Sequence, residues 1–112
     1  MACRYEIKKT DHGQYFFNLK AGNGEVILTG ETYATKQSAL ESIASVRANA
    51  PLDGRYERKI ASNSQPYFTL KAANGQTLAK SEMYPGFGAM ENGIASVECH
   101  AKNAPVADLT ES

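Results

Sequence analysis

The chain has 112 residues, 42% of them hydrophobic, and its twelve Lys and Arg side chains are balanced by twelve Asp and Glu side chains. This length and composition predict a single soluble globular domain and argue against a disordered chain. A formal charge of zero disfavours binding of nucleic acid through overall charge, which leaves a local basic patch as the remaining route.

The sequence gives no sign of a membrane segment or of metal ligands. No apolar run approaches the roughly 20 residues that span a bilayer. The N-terminal MACRYEIKK lacks the apolar stretch of a secretory signal, so a cytoplasmic location is expected. Cys3 and Cys99 are far apart and lack metal-ligand spacing, so neither a metal site nor a catalytic thiol is predicted.

Three segments in the first half have the composition of β-strands. They are RYEIKK, YFFNLKA and EVILTGE, which begin at Arg4, Tyr15 and Glu25. Asn23-Gly24 separates the second from the third and predicts a two-residue hairpin, because both central residues of a type I′ turn need positive φ.

The predicted turn also fixes which residues lie opposite each other. A two-residue loop pairs Gly22 with Glu25, and therefore Leu19 with Leu28. Residues that lie opposite share a face of the sheet. The predicted core face carries Phe17, Leu19, Ala21, Val26, Leu28 and Gly30, and the opposite, mixed face carries Phe16, Asn18, Lys20, Ile27, Thr29 and Glu31.

After the third strand the hydrophobic period changes from two to about 3.6, which indicates a helix. The residues at helical spacing are Ala39, Ile43, Val46 and Ala50. Thr35 is the predicted N-cap, and Pro51 ends the helix.

The second half repeats the first. A shift of 51 residues aligns residues 4–50 with 55–101 without a gap, and 18 of the 47 aligned pairs are identical, which chance does not explain. The three predicted strands of the second half are RYERKI, PYFTLKA and QTLAKSE, and Asn74-Gly75 is the predicted turn between the last two. The helix carries Met90, Ile94, Val97 and Ala101 and is expected to open at Gly86 or Gly88.

A unit of about 50 residues buries too little surface to be stable alone, so the two halves must share a core. The sequence therefore predicts an α+β fold of two β-β-β-α(-β) repeats, related by a pseudo-two-fold axis and sharing an antiparallel sheet with two helices packed on it. One domain is expected over residues 1–112, with repeats at 4–51 and 55–105 and a C-terminal strand or tail at 106–112.

The segments FNLKAGNGEVILT, GIASV, RYERK and YFTLKAANGQ resemble the YegP-like family of small bacterial proteins, a family named as uncharacterised. The resemblance implies that the two units exchange their last strands, with PLD and PVADLT as those strands. It also implies a monomer whose repeats imitate the dimer of single-unit relatives. It brings no activity, cofactor or catalytic residue.

Convergent titratable groups, which enzymes need, are not evident in the sequence. His12 lies in the polar loop TDHGQ, and His100 lies near a helix end. We therefore predict no catalytic, cofactor-binding or metal-binding residue, and a protein that is not an enzyme.

The candidate binding surface lies on the mixed face, at equivalent positions of the two repeats: Phe16, Lys20, Ile27, Tyr67, Lys71 and Leu78. Two repeated Glu/Tyr pairs either line a groove or have a structural role: Glu31 with Tyr33, and Glu82 with Tyr84. The leading hypothesis is a structural or protein-interaction module. The alternatives are weak binding of nucleic acid or a small anion through the aromatic and lysine side chains, and an enzyme of unknown class.

Overall fold

The structure is a computed structural model that describes residues 3–110. Strands and helices follow one another in the order that the repeat predicts. Their bounds are β1 Arg4–Lys9, β2 Tyr15–Lys20, β3 Val26–Gly30, α1 Lys36–Asn49, β4 Tyr56–Ile60, β5 Pro66–Lys71, β6 Thr77–Ser81, α2 Phe87–His100 and β7 Val106–Asp108. Thr35 caps α1 by accepting a hydrogen bond from the Ser38 N–H at 3.1 Å, and Gly86 precedes α2.

The strands form one sheet in the order β4-β5-β6-β3-β2-β1-β7. β3 and β6 pair antiparallel at its centre with Thr29 opposite Lys80, so the pseudo-two-fold axis passes between these two residues. Buried residues of both helices and of both sets of strands belong to one core cluster, which places α1 and α2 on the same side of the sheet. The predicted α+β fold is confirmed, except that β7 runs parallel to β1.

The β2–β3 turn differs from the predicted type I′ turn. The Gly24 N–H donates to Ala21 O at 2.9 Å, the Ala21 N–H donates to Glu25 O at 2.9 Å, and within the turn positive φ is confined to Gly24, at 88°. This is a three-residue loop that closes on a left-handed glycine. The predicted pairing of Gly22 with Glu25 is therefore wrong. A bulge next to Leu19 restores the predicted pairing of Leu19 with Leu28.

The bulge changes the face on which two candidate residues lie. Between Leu19 and Lys20 the partner strand advances from Leu28 to Val26, so Ile27 is the extra residue of the bulge. Ile27 and its counterpart Leu78 are 7% and 5% exposed and belong to the core cluster. Their predicted position on the mixed face is wrong, because a two-residue loop without a bulge was assumed.

One of the two closing strands expected from the resemblance is formed. β7 comes from PVADLT and pairs with β1 of the other repeat, where the Leu109 N–H donates to Ile7 O at 2.9 Å. The segment PLD does not form a strand, because a 3-10 turn at Asp53–Arg55 leads the chain directly into β4. Residues 111 and 112 of the predicted tail lie outside the described residues.

Two buried tyrosines connect the repeats. The Tyr5 hydroxyl on β1 donates to Ala101 O at the end of α2, at 2.7 Å. The Tyr56 hydroxyl on β4 donates to Ala50 O at the end of α1, at 2.6 Å. Each tyrosine therefore satisfies a carbonyl at the C-terminus of the other repeat's helix, where no intrahelical donor is available.

The fold is expected to lose stability at alkaline pH because of these two tyrosines. Burial raises the pKa of Tyr5 and of Tyr56 above the ordinary value near 10. The unfolded chain releases these protons from about pH 10, whereas the folded protein retains them. Their contribution is fully present below about pH 10 and is lost as the pH rises further, which urea unfolding between about pH 8 and 11 measures.

The control for this pH dependence is the double variant Tyr5→Phe/Tyr56→Phe. It loses about 1 kcal/mol per hydrogen bond near neutral pH, and its stability should change less above about pH 10 than that of the parent. Tyr67→Phe, at a half-buried tyrosine outside the core, should keep the parent's profile. An alkaline decline that is equally steep in the double variant would contradict this assignment.

Candidate functional site

The side of the sheet opposite the helices is covered by no helix or strand of residues 3–110. We call it the open face. Its positions alternate along each strand with the buried ones, because successive side chains of a strand point to opposite sides. It carries Arg4, Glu6, Lys8, Phe16, Asn18, Lys20, Thr29, Glu57, Lys59, Tyr67, Thr69, Lys71 and Lys80.

One carboxylate organises the basic residues of the first repeat on the open face. Glu6 on β1 is 5% exposed. Its carboxylate oxygens lie 2.8 Å from Arg4 Nη2, 3.1 Å from Lys20 Nζ and 3.7 Å from Lys8 Nζ. The contact with Lys20 lowers the pKa of Glu6, with a smaller contribution from the hydrogen bond with Arg4. Glu6 is therefore ionised at neutral pH and holds the three cations around it.

The second repeat has a similar but more exposed arrangement, with two cations around Glu57. Its Oε1 lies 2.7 Å from Lys71 Nζ and 3.5 Å from Lys59 Nζ, and the hydrogen bond with Lys71 lowers the pKa of Glu57. Both candidate lysines, Lys20 and Lys71, are thus engaged by a carboxylate of the neighbouring strand. A phosphate group would have to compete with Glu6 or Glu57 for either of them.

The two candidate aromatic residues lie on the open face at a distance from each other. Phe16 on β2 lies opposite Lys8, and Tyr67 on β5 lies opposite Lys59. Lys80 Nζ lies 5.0 Å from the centroid of the Tyr67 ring. Three strand spacings separate β2 from β5, which is at least about 14 Å. The rings therefore do not form a platform on which successive bases could stack.

The predicted Glu/Tyr pairs do not occupy one common groove. Glu31 and Glu82 line a depression of about 490 Å³ over the β3–β6 junction, together with Thr29 and Lys80. Tyr33 lies in a cleft beside α1, whereas Tyr84 shares a cleft beside α2 with Glu82. The two carboxylates thus lie near the pseudo-two-fold axis, and the tyrosines turn towards the helices.

Groups suited to catalysis or metal binding are scattered. His12 and His100 are both exposed, Cys3 is a buried free thiol, and Cys99 is an exposed one. Within residues 3–110 no group of three or more His, Cys, Asp and Glu side chains is placed to hold a metal ion. In the same stretch, no helix is long and apolar enough to cross a membrane.

Sequence reasoning missed the carboxylates that bind the lysines, and with them Lys8 and Lys59. A signal for them exists, because Glu6 and Lys8 recur unchanged as Glu57 and Lys59. These polar residues alternate with core positions along the strand and are identical in both repeats. This pattern indicates that they have the same role on the solvent side of the sheet.

Two segments of the chain, residues 11–57 and 61–108, match the model of a family described as "Domain of unknown function (DUF1508)". The UPF0339 protein YegP of Escherichia coli K12 is 50% identical over 110 residues, which cover 98% of this chain and 100% of that relative. A UPF0339 protein of Shewanella oneidensis is 48% identical over 110 residues, with the same coverage.

Two solution NMR structures have a similar fold. The structure of yegP from E. coli superimposes with a TM-score of 0.92 at 50% identity, covering 100% of this chain and 97% of that chain. The structure of the Shewanella oneidensis UPF0339 protein also gives a TM-score of 0.92, at 47% identity, with coverage of 98% and 93%.

Proposed function

This chain belongs to the DUF1508 family, as its resemblance to YegP-like proteins predicted, and we propose that it is a non-catalytic module that binds an acidic protein partner on the open face. The family description assigns no activity, so the proposal rests on the chain's own surface. The observation that carries it is the concentration of basic side chains on the open face of a chain whose formal charge is zero.

The basic residues form two patches of similar composition. Each half of the open face has basic side chains around one central carboxylate: Arg4, Lys8 and Lys20 around Glu6, and Lys59 and Lys71 around Glu57. The two central carboxylates belong to β1 and β4, which are five strand spacings apart, or about 24 Å. Each patch keeps an excess of positive charge and attracts an acidic group.

The region between the patches favours a protein over a nucleic acid. Glu31 and Glu82 lie there, beside Thr29 and Lys80. A phosphate backbone is uniformly negative and would meet both carboxylates as it crossed from one patch to the other. A protein can place acidic residues over the patches and neutral residues between them, which is the charge complementarity that selects partners.

The non-catalytic part of the proposal is supported by the positions of the titratable groups. The pKa of Glu98 is raised, first by burial and then by Asp53. Such a shift on a carboxylate is one property of catalytic acids. Glu98 however lies on α2 beside Asp53 and the Arg58–Glu91 ion pair. The charged groups that act on it, Asp53, Arg58 and Glu91, form a surface ion-pair cluster.

The proposal predicts tight binding of a peptide with two acidic blocks at the right separation. The probe is a fluorescent peptide with two Glu blocks joined by about seven extended Ser and Gly residues, enough to span about 24 Å. It should bind at least about tenfold more tightly than a peptide with one block, since the second contact is intramolecular. Fluorescence anisotropy with the full chain measures both affinities.

Two matched variants each reverse two charges, one variant on the open face and the other outside it. Lys8→Glu/Lys59→Glu should weaken binding of the two-block peptide by at least about tenfold, whereas Lys9→Glu/Lys102→Glu, outside the open face, should change it less than about twofold. Equal effects of the two variants, or no preference for two blocks, would refute the proposal. If a single-stranded oligonucleotide bound more tightly than the peptide, with a steep salt dependence lost in Lys20→Ala/Lys71→Ala, nucleic-acid binding would replace it.

A further inference from the structure

Two clefts on the helix side of the sheet are copies of each other under the shift of 51 residues. The small cleft, about 240 Å³, lies between α1 and the start of β6 and is lined by Tyr33, Ser38, Glu41, Ser42, Ser45, Gln76 and Leu78. The large cleft, about 680 Å³, lies between α2 and the β2–β3 hairpin and includes the seven counterparts Tyr84, Ala89, Asn92, Gly93, Ser96, Glu25 and Ile27. Each cleft thus combines a helix of one repeat with a strand of the other.

The two clefts differ in how the tyrosine meets the helix. In the small cleft the Tyr33 hydroxyl donates a hydrogen bond to Ser42 Oγ at 3.0 Å. The counterpart of Ser42 is Gly93, where an added Cβ would lie 2.3 Å from the Tyr84 hydroxyl oxygen. A glycine inside a helix costs about 1 kcal/mol relative to alanine. Its presence is explained by the space that Tyr84 takes up.

The large cleft contains polar groups that no basic side chain contacts, although Asn23 Nδ2 donates a hydrogen bond to Glu25 Oε1 at 3.1 Å. Within residues 3–110 the Tyr84 hydroxyl has no hydrogen-bond partner, unlike that of Tyr33. Burial raises the pKa of Tyr84, and Glu82 and Glu25 add to the shift, so the phenol is a neutral donor and acceptor at physiological pH. In the same described range neither Glu25 nor Glu82 has a basic side chain within ion-pair distance.

The charge of the large cleft differs from that of the small one. Two carboxylates, Glu25 and Glu82, line it, and no Lys, Arg or His does. The small cleft has Gln76 in place of Glu25 and carries one carboxylate, Glu41. The remaining lining of the large cleft is largely apolar, from Ile27, Ala89 and the stacked Tyr84 ring. Its volume lies within the usual range of small-molecule sites.

We propose that the large cleft binds a small organic cation with a flat apolar body, such as an aromatic amine. The ammonium group lies between the carboxylates of Glu25 and Glu82, where no basic side chain of the lining competes with it. The Tyr84 hydroxyl provides a further polar contact. The apolar body packs against Ile27 and Ala89. The cleft lies beside α2 on the helix side of the sheet, and it shares Glu82 and Met83 with the depression over the β3–β6 junction.

The test is an NMR titration of the full, ¹⁵N-labelled chain with tryptamine. Saturable shifts are expected at the amides of Ile27, Asn92 and Gly93, with a Kd between about 10 μM and 1 mM. The matched positions Glu41, Ser42 and Leu78 in the small cleft should show much smaller shifts. Indole-3-ethanol and indole-3-acetate keep the ring but replace the ammonium group by a neutral or a negative one, and both should bind at least about tenfold more weakly.

Variants that copy the small cleft test the role of the carboxylates. Glu25→Gln introduces the residue found at position 76, at an exposed site where the Gln carbonyl can still accept the hydrogen bond from Asn23 Nδ2, and should weaken tryptamine binding at least about fivefold. Adding Glu82→Gln should remove saturable binding, whereas Glu41→Gln in the small cleft should leave the affinity within about twofold. The proposal is overturned by absent saturation at about 10 mM, by equal binding of the three indoles, by shifts of similar size in both clefts, or by an unchanged Kd in Glu25→Gln/Glu82→Gln.

Discussion

Replacing Gly30 with alanine is expected to destabilise the fold by about 1–3 kcal/mol, the usual cost of adding a carbon to a packed core. A Cβ at this position would lie 2.1 Å from Phe17 Cε2 and 2.5 Å from Phe17 Cδ2. Phe17 is fully buried, so its ring has no free space into which it can move. Urea unfolding followed by circular dichroism measures the change.

Two comparisons isolate the clash. Gly54→Ala should change the unfolding free energy by less than about 0.5 kcal/mol, because nothing lies within 4 Å of the new Cβ. In a Phe17→Leu background, Gly30→Ala should cost at least about 1 kcal/mol less than in the parent, since the contacting ring edge is gone. The same cost in both backgrounds would show that contact with Phe17 is not the reason for glycine here.

Phe68→Ala is expected to cost about 3–5 kcal/mol, as truncation of a buried aromatic side chain usually does. The Phe68 ring is fully buried. It packs against Tyr56 at a centroid distance of 5.7 Å and is stacked on Tyr84 at 6.2 Å. The control is Phe87→Ala, because Phe87 is 57% exposed and its loss should cost less than about 0.5 kcal/mol.

The same variant tests whether the repeats unfold together. One core cluster spans both, and the two hydroxyl contacts of Tyr5 and Tyr56 cross between them. Phe68→Ala should therefore accelerate amide exchange in β1–β3, which belong to the other repeat, by the same factor as in β4–β6. Loss of protection confined to residues 56–81, or two separate urea transitions, would show independent units.

Much of the fold follows from local signals that the two halves share. The pairing of Leu19 with Leu28 could be predicted, because the alternation of apolar residues and the position of the turn agree. The position of Ile27 could not be. A glycine after Asn23 fits both a two-residue and a three-residue loop, and the choice between them moves a bulge into the strand. Ile27, the extra residue of that bulge, lies in the cleft beside α2.

The open face was harder to predict than the core. The partners of Lys20 and Lys71 come from β1 and β4, whose registers against β2 and β5 depend on the loops at residues 10–14 and 61–65. Those loops carry no turn signal as specific as Asn-Gly. The cross-strand ion pairs were therefore not evident from the sequence, and the lysines alone suggested a site for anions.

The parallel pairing of β7 with β1 determines how the chain responds to a load applied at its ends. The N-terminal end of β1 and the C-terminal end of β7 lie at opposite ends of the strand pair. Tension between the termini therefore slides the two strands along each other and strains their hydrogen bonds together. Antiparallel terminal strands would instead peel apart one bond at a time. Strand β7, which pairs with β1 of the other repeat, therefore resists extension of the N-terminal strand under load.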